Sequence, residues 1–171
     1  MNIKNFEFKA KVDNLEPYEN KLLRLNPLFK GTDHQIDTYF NAATGRLKLR
    51  EGNIENSLIH YNRENTSEAK RSDIILYQHQ PNPALKNILS LQLGIKTVVD
   101  KKRRIYFIDN IKFHFDTVKG LGTFIEVEAI DNNNTFSIEK LKEQCDQYFH
   151  FFELEQFQLI DKSYSELVDK V

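Results

Sequence analysis

Glu126 and Glu128 stand two residues apart, so on an extended strand both carboxylates point to one side. Such a pair is a hard-oxygen donor set for a divalent cation, Mg²⁺ or Mn²⁺. Basic residues keep the same spacing elsewhere. Arg46, Lys48 and Arg50 share one parity with Leu47 and Leu49 opposite, and residues 101–104 read Lys-Lys-Arg-Arg. Lys112, His114 and Asp116 alternate with Ile111, Phe113 and Phe115, and Glu7, Lys9 and Lys11 alternate with Phe6, Phe8, Ala10 and Val12. Arg63 follows Tyr61 in a stretch poor in charge. Guanidinium and ammonium groups spaced in this way can grip the oxygens of a phosphate chain. On the wet face of an ordinary antiparallel sheet the same residues would be solvated. Solvated faces usually mix both signs within a strand, whereas here acidic and basic residues are sorted largely strand by strand. A sheet closed with these faces inward would hold many cations beside a carboxylate patch. Desolvated like charges are costly, so such a lumen needs an anionic ligand with metal ions. A triphosphate with Mg²⁺ (or Mn²⁺) meets both needs.

The elements that must position these residues follow from periodicity. Residues 4–12 alternate cleanly and predict a strand. Pro17 in a first turn and the stripe Tyr18, Leu22, Leu25 and Phe29 predict a helix over 17–29. Strands are expected at 34–41, 46–51, 57–63 and 73–80, broken by turns at Thr44-Gly45 and Gly52-Asn53. Pro81-Asn82-Pro83 stops the last of these and opens a short helix that Gly94 caps. Strands at 95–108 and 111–118 flank a tight turn at Asp109-Asn110, and Gly120-Leu121-Gly122 leads into a strand at 123–130. A long helix over 136–152 aligns Ile138, Leu141, Cys145, Tyr148, Phe149 and Phe152, which makes Cys145 a core residue. Many short-spaced strands with few helices predict an α+β fold whose largely antiparallel sheet has strands enough to close into a barrel.

Composition narrows the function classes. The chain has 171 residues, 29% of them charged, which suits one domain over 1–171. Twenty-four basic against 25 acidic residues exclude a cationic nucleic-acid coat or membrane-surface protein. A mean hydropathy of -0.57 and the lack of a long apolar run exclude a membrane-spanning helix. The stretch MNIKNFEFKAKV lacks the apolar core of a secretory signal, and one cysteine excludes an internal disulfide framework. A soluble, cytoplasmic domain is expected, with a small-molecule partner and neither nucleic acid nor membrane. A homodimer, if formed, would use an exposed barrel flank or the C-terminal helix.

The same residues resemble the CYTH superfamily, the triphosphate tunnel metalloenzymes, across nearly the whole chain. The family opens with Glu-x-Glu-x-Lys, here Asn5-Phe6-Glu7-Phe8-Lys9, and continues with Asp37-Thr38-Tyr39-Phe40. Leu47-Lys48-Leu49-Arg50 matches its L-R-x-R strand, and Lys101-Lys102-Arg103 its K-x-R strand. The most specific match begins at Asp116 and runs through Val118-Lys119-Gly120-Leu121-Gly122-Thr123-Phe124-Ile125-Glu126-Val127-Glu128. The tail Ser163-Tyr164-Ser165-Glu166-Leu167 is similar to the bacterial class IV adenylate cyclase-like branch.

That resemblance implies an eight-stranded antiparallel β-barrel forming a tunnel, with helices packed outside. It implies a metal-dependent enzyme that turns ATP into cyclic AMP and pyrophosphate. The alternatives are a triphosphatase acting on thiamine triphosphate or inorganic triphosphate, or a non-catalytic triphosphate or polyphosphate binder. By the same resemblance Glu7, Glu126, Glu128 and Asp116 hold Mg²⁺ or Mn²⁺. Lys9, Lys48, Arg50, Arg63, Lys101, Arg103 and Lys112 grip the phosphates, and Asp116, Lys101 and Arg103 act in catalysis. His114, on the face of Asp116, is either an aid to proton transfer or a hydrogen-bonding neighbour. Lys11, Lys102 and Arg104 are expected to be solvated, because period two cannot turn every member of a basic run inward. Asn5 departs from the family pattern: it stands where the motif has its first Glu and removes one negative charge from the implied metal cluster.

Overall fold

The computed structural model describes residues 2–63 and 70–170. Eight strands, β1 (Asn2–Val12), β2 (Leu28–Phe40), β3 (Arg46–Glu51), β4 (Ser57–Arg63), β5 (Lys70–Gln78), β6 (Ile95–Ile108), β7 (Ile111–Val118) and β8 (Gly122–Asp131), form a closed antiparallel barrel. Their order around it is β1-β5-β4-β3-β2-β6-β7-β8. Four helices lie outside the strand wall: α1 (Glu16–Leu23), α2 (Pro83–Leu93), α3 (Ile138–Phe151) and α4 (Tyr164–Val168). Among the described residues no helix is long and apolar enough to cross a membrane.

The alternation read from the sequence sorts the two sides of the wall. The outward apolar residues of β1, β7 and β8 (Phe6, Phe8, Ala10, Phe113, Phe115, Ile125, Val127 and Ala129) are buried in one core. Leu22 of α1 and Leu141 and Cys145 of α3 complete that core with Phe152. Each Phe, Leu, Ile or Val among them contributes about 1.5–3 kcal/mol by leaving water, which holds α1 and α3 against this half of the wall. Cys145 is buried there, its thiol donating to the Phe6 carbonyl at 3.2 Å. The polar parity is left to face the lumen.

Two boundaries differ from expectation for a local reason. The first helix ends at Leu23 and not near Phe29, and β2 begins at Leu28. Asn26 takes a left-handed φ of 52° directly before Pro27. The proline disfavours helical geometry at the residue before it, so the helix cannot continue. Leu25 and Phe29, which helical periodicity placed on the apolar stripe, are 45% and 47% exposed. The short helix matches its signals: the Asn82 side chain accepts from the Ala84 N–H at 2.9 Å, and Gly94 ends it with a φ of 75°.

Candidate active site

Strand parity lines the lumen with Asn5, Glu7 and Lys9 of β1, Tyr39 of β2, Lys48 and Arg50 of β3, Lys101 and Arg103 of β6, Lys112 of β7, and Glu126 and Glu128 of β8. They surround a cavity of about 710 Å³, within the range of small-molecule sites. Ile54, Ile59, Ile74, Leu76 and Phe107 line it as well, adding apolar wall.

Asp37 is fully buried behind the cations of β3 and β6. Its carboxylate accepts from Arg50 Nε and Nη2 at 2.9 and 2.8 Å and from Lys101 Nζ at 2.8 Å, with Lys48 Nζ at 3.4 Å. Burial alone would raise the Asp37 pKa; Arg50, Lys101 and Lys48 outweigh it and hold the carboxyl well below the usual carboxylate range. Asp37 and Glu55 together face Lys48, Arg50, Lys101 and Lys112, which leaves a surplus cationic charge at the cavity wall. Lys101 shows the effect: burial and the neighbouring Arg103 charge push its ammonium well below the usual lysine value.

Arg103 is fixed in a second buried group. Its Nε and Nη2 donate to both Asp116 oxygens at 2.7 and 2.6 Å, and Nη2 also reaches Glu126 at 3.3 Å. The Tyr164 hydroxyl, brought over from α4, donates to Asp116 at 2.7 Å. The Tyr164 ring lies 3.8 Å from Lys9 Nζ, which in turn stands 3.9 Å from Glu126. This bidentate pairing sets the plane of the guanidinium before any ligand arrives.

A third carboxylate enters from a loop. The residues between β3 and β4 fold back over Asp33, whose oxygens accept from the N–H groups of Asn53, Ile54 and Glu55 at 2.6, 2.9 and 2.9 Å. That anchor delivers the Glu55 side chain to Arg50 at 3.2 Å, to Gln35 at 3.1 Å and to Lys112. Although burial opposes it, the Lys112 and Arg50 charges hold Glu55 far below the usual range.

On the facing wall the register sets His114 opposite Glu126 and Lys112 opposite Glu128 between β7 and β8. Across β1 and β8, Glu7 faces Glu128 and Lys9 faces Glu126. Burial, with the Glu7 and Glu126 charges, pushes Glu128 up to about 7. Crowded carboxylates of this kind stabilise a bound cation, because it relieves their mutual repulsion. Among the described residues, ligand atoms of His114, Glu126 and Glu128 all come within 4.8 Å of one another. This donor set fits a divalent cation. Burial and the charges of Arg103 and Lys112 keep His114 well below its usual value, hence neutral.

The expected cations Lys9, Lys48, Arg50, Lys101, Arg103 and Lys112 all converge on the cavity. Arg63 closes β4, and its side chain lies outside the described residues. Lys11, Lys102 and Arg104 face solvent. Asp116 stands with Arg103 and Tyr164, both of its oxygens engaged there, while Glu7 stands beside Glu128. Asn5 is 1% exposed and its Oδ1 has no hydrogen-bond partner. Sequence reasoning assigned no role to Asp33, Asp37, Glu55 or Tyr164. Asp33, Gln35 and Asp37 share a parity that the same period-two argument would have picked out. Glu55 lies in a loop and Tyr164 in the tail, where periodicity is silent.

A closed antiparallel tunnel with an interior clamp of cations next to a carboxylate cluster defines a class built to hold a polyanion with a metal. The chain belongs to the CYTH domain family, whose model matches residues 4–158. CYTH enzymes are metal-dependent and bind triphosphate substrates. No curated protein sequence matches this chain. Among solved structures, the PH1012 protein from Pyrococcus horikoshii OT3 is similar at a TM-score of 0.80 and 24% identity, covering 95% of this chain and 98% of that one. A candidate adenylate cyclase from Vibrio parahaemolyticus is similar at a TM-score of 0.79 and 17% identity, covering 96% and 97%. A candidate adenylyl cyclase from Hippeastrum with a dominant triphosphatase activity is similar at a TM-score of 0.58 and 14% identity, covering 90% and 88%. At these identities the likeness is one of fold.

Proposed function

We propose that this chain is a cytoplasmic enzyme that binds ATP with a divalent cation in the barrel lumen and converts it to cyclic AMP and pyrophosphate. The observation that carries the reading is the surplus positive charge around Asp37, set across the cavity from the Glu7, Glu126 and Glu128 carboxylates. Lys9, Lys48, Arg50 and Lys112 take the phosphate oxygens as charged donors. Lys101 and Arg103 face the reacting phosphate, and Asp116 acts through Arg103 as a positioning residue. Glu126, Glu128 and Glu7 would hold the cation, which would lower the pKa of the attacking hydroxyl and offset phosphate charge. The ribose 3′-hydroxyl gives its proton to solvent, and its oxygen bonds to the α-phosphorus as the bond to the bridging oxygen breaks. Pyrophosphate departs against the basic residues, so positioning and electrostatics supply most of the acceleration. The apolar wall of Ile54, Ile59, Leu76 and Phe107 favours a triphosphate with an organic group over a bare inorganic chain.

The second reading is a triphosphatase, in which the same clamp holds the chain while water attacks the terminal phosphorus. It is supported by the fold shared with the Hippeastrum protein. Phosphorus NMR of ATP with the protein and Mg²⁺, then Mn²⁺, tests both. Cyclic AMP with pyrophosphate is the expected result, and ADP with orthophosphate would replace it with the triphosphatase. If ATP stays intact, thiamine triphosphate and inorganic triphosphate are tried next; binding without turnover of any of them would make the chain a binder.

A further inference from the structure

We propose that His114 is a direct ligand of the cation held at Glu126 and Glu128, and that its nitrogen turns the site from Mg²⁺ toward Mn²⁺, Co²⁺ or Zn²⁺. The inference rests on the reading that a cation binds there at all. His114 is 0% exposed, and neither ring nitrogen has a hydrogen-bond partner. A buried histidine with a purely structural role normally has both nitrogens satisfied, since an orphaned buried polar atom costs about 1–3 kcal/mol. Nδ1 is instead aimed between two carboxylates, 3.9 Å from Glu126 Oε1 and 3.9 Å from Glu128 Oε1.

That spacing is too long for a hydrogen bond to either oxygen. It suits a shared ion, because donors about 2.0–2.2 Å from one metal stand roughly 3–4.4 Å apart. In the tautomer that leaves Nδ1 unprotonated, its lone pair and the oxygens of Glu126 and Glu128 converge on one point, where a cation would be held by all three. The register supports the same assignment: His114 and Glu126 are direct cross-strand partners, and Glu128 follows on the same face. Two carboxylate oxygens and one imidazole nitrogen form a mixed donor set. Carboxylates alone suit Mg²⁺, whereas adding imidazole favours first-row transition ions and Zn²⁺. The nitrogen also adds a donor without charge to a cluster in which Asn5 has already replaced a carboxylate.

The test is pulsed electron paramagnetic resonance of Mn²⁺ bound to the full chain, alone and with inorganic tripolyphosphate. The expected result is a ¹⁴N echo modulation that changes to the ¹⁵N pattern when only histidine is ¹⁵N-labelled. It should vanish in His114→Ala, with a loss of Mn²⁺ affinity of about tenfold or more, as even outer-shell partners contribute that much. Mg²⁺ affinity should fall less. The isotope measurement on the unmutated chain stands whether or not the variant folds. Mn²⁺ bound in a manner sensitive to Glu126→Gln but without histidine modulation would overturn the ligand role of His114 and leave the proposed function standing. Mn²⁺ that does not bind, with or without tripolyphosphate, would overturn both.

Discussion

At the scale of single residues, Asp37 is the carboxylate on which the basic clamp depends. Three cations meet it within 3.4 Å in a buried setting. Asp37→Asn removes the charge that Lys48, Arg50 and Lys101 share and leaves Glu55, against Arg50, as the nearest carboxylate to them. Breaking a buried ion pair from one side costs about 3–5 kcal/mol. For a chain of this size that corresponds to a fall in melting temperature of roughly 6–20 °C. Added tripolyphosphate should restore more stability to the variant than to the unmutated protein, because the ligand supplies the missing charge. An unchanged thermal melt without ligand would refute this role. The β6 cations were legible from sequence because period two allows only half of a basic run inward. Lys101 and Arg103 are buried while Lys102 and Arg104 are exposed. Which carboxylate neutralises which cation was not legible, since that depends on pairing between strands distant in sequence.

At the scale of elements, the β3–β4 loop is a fixed arm that carries Glu55. Its Asp33 anchor is tight: a Cβ at Gly52 would lie 2.6 and 2.8 Å from the Asp33 oxygens and 2.7 Å from the Glu55 carbonyl. Gly52→Ala must therefore shift the loop, at a cost of about 1–3 kcal/mol by analogy with other overpacked sites. Glu55 competes with an incoming phosphate for Lys112 and Arg50. Glu55→Gln should raise tripolyphosphate affinity by about tenfold, the equivalent of about 1.4 kcal/mol, as read by calorimetry. Weaker binding would mean instead that Glu55 organises the clamp for its ligand. The turn at Gly52-Asn53 was legible in the sequence, but no periodic signal says where a loop side chain points, so the reach of Glu55 was not. The α1–β2 junction failed for the opposite reason: an apolar period continued past the point where Asn26-Pro27 stops a helix. Where caps and turns agreed with periodicity, as from Asn82 to Gly94, the element was read correctly.

At the scale of the whole molecule, the lumen sets a cation-rich side, β2, β3 and β6, beside a carboxylate cluster on β1 and β8, and its proton balance reports on the cluster. In the folded state Glu128 holds its proton up to about 7, against an ordinary value of 4.5. His114 gives its proton up well below its ordinary value of 6.5. Between pH 4.5 and 6.5 the unfolded chain thus carries a proton on the imidazole, and the folded chain carries one on Glu128. The two counts are equal, so this pair leaves metal-free stability nearly flat with pH, because the slope follows the difference in bound protons. Removing either partner exposes the other. In His114→Ala only the Glu128 contribution remains: the folded state binds the extra proton, and stability falls from pH 4.5 to 7, by about 3 kcal/mol at most. In Glu128→Gln only the His114 contribution remains: the unfolded state binds the extra proton, and stability rises with pH up to 6.5. Each variant keeps the main causes of the remaining shift: burial and the Glu7 charge raise Glu128, and burial and the Arg103 charge lower His114. Asp37 and Glu55, held low, act below pH 4.5 in all three proteins alike. Urea titrations in chelator at pH 5, 6, 7 and 8 should therefore give slopes displaced in opposite directions from that of the parent, downward for His114→Ala and upward for Glu128→Gln. Added Mn²⁺ should stabilise the parent more at pH 8 than at pH 5, because below about 7 the cation must displace the Glu128 proton. Three parallel pH profiles would mean that the carboxylate wall is not charged as its geometry requires.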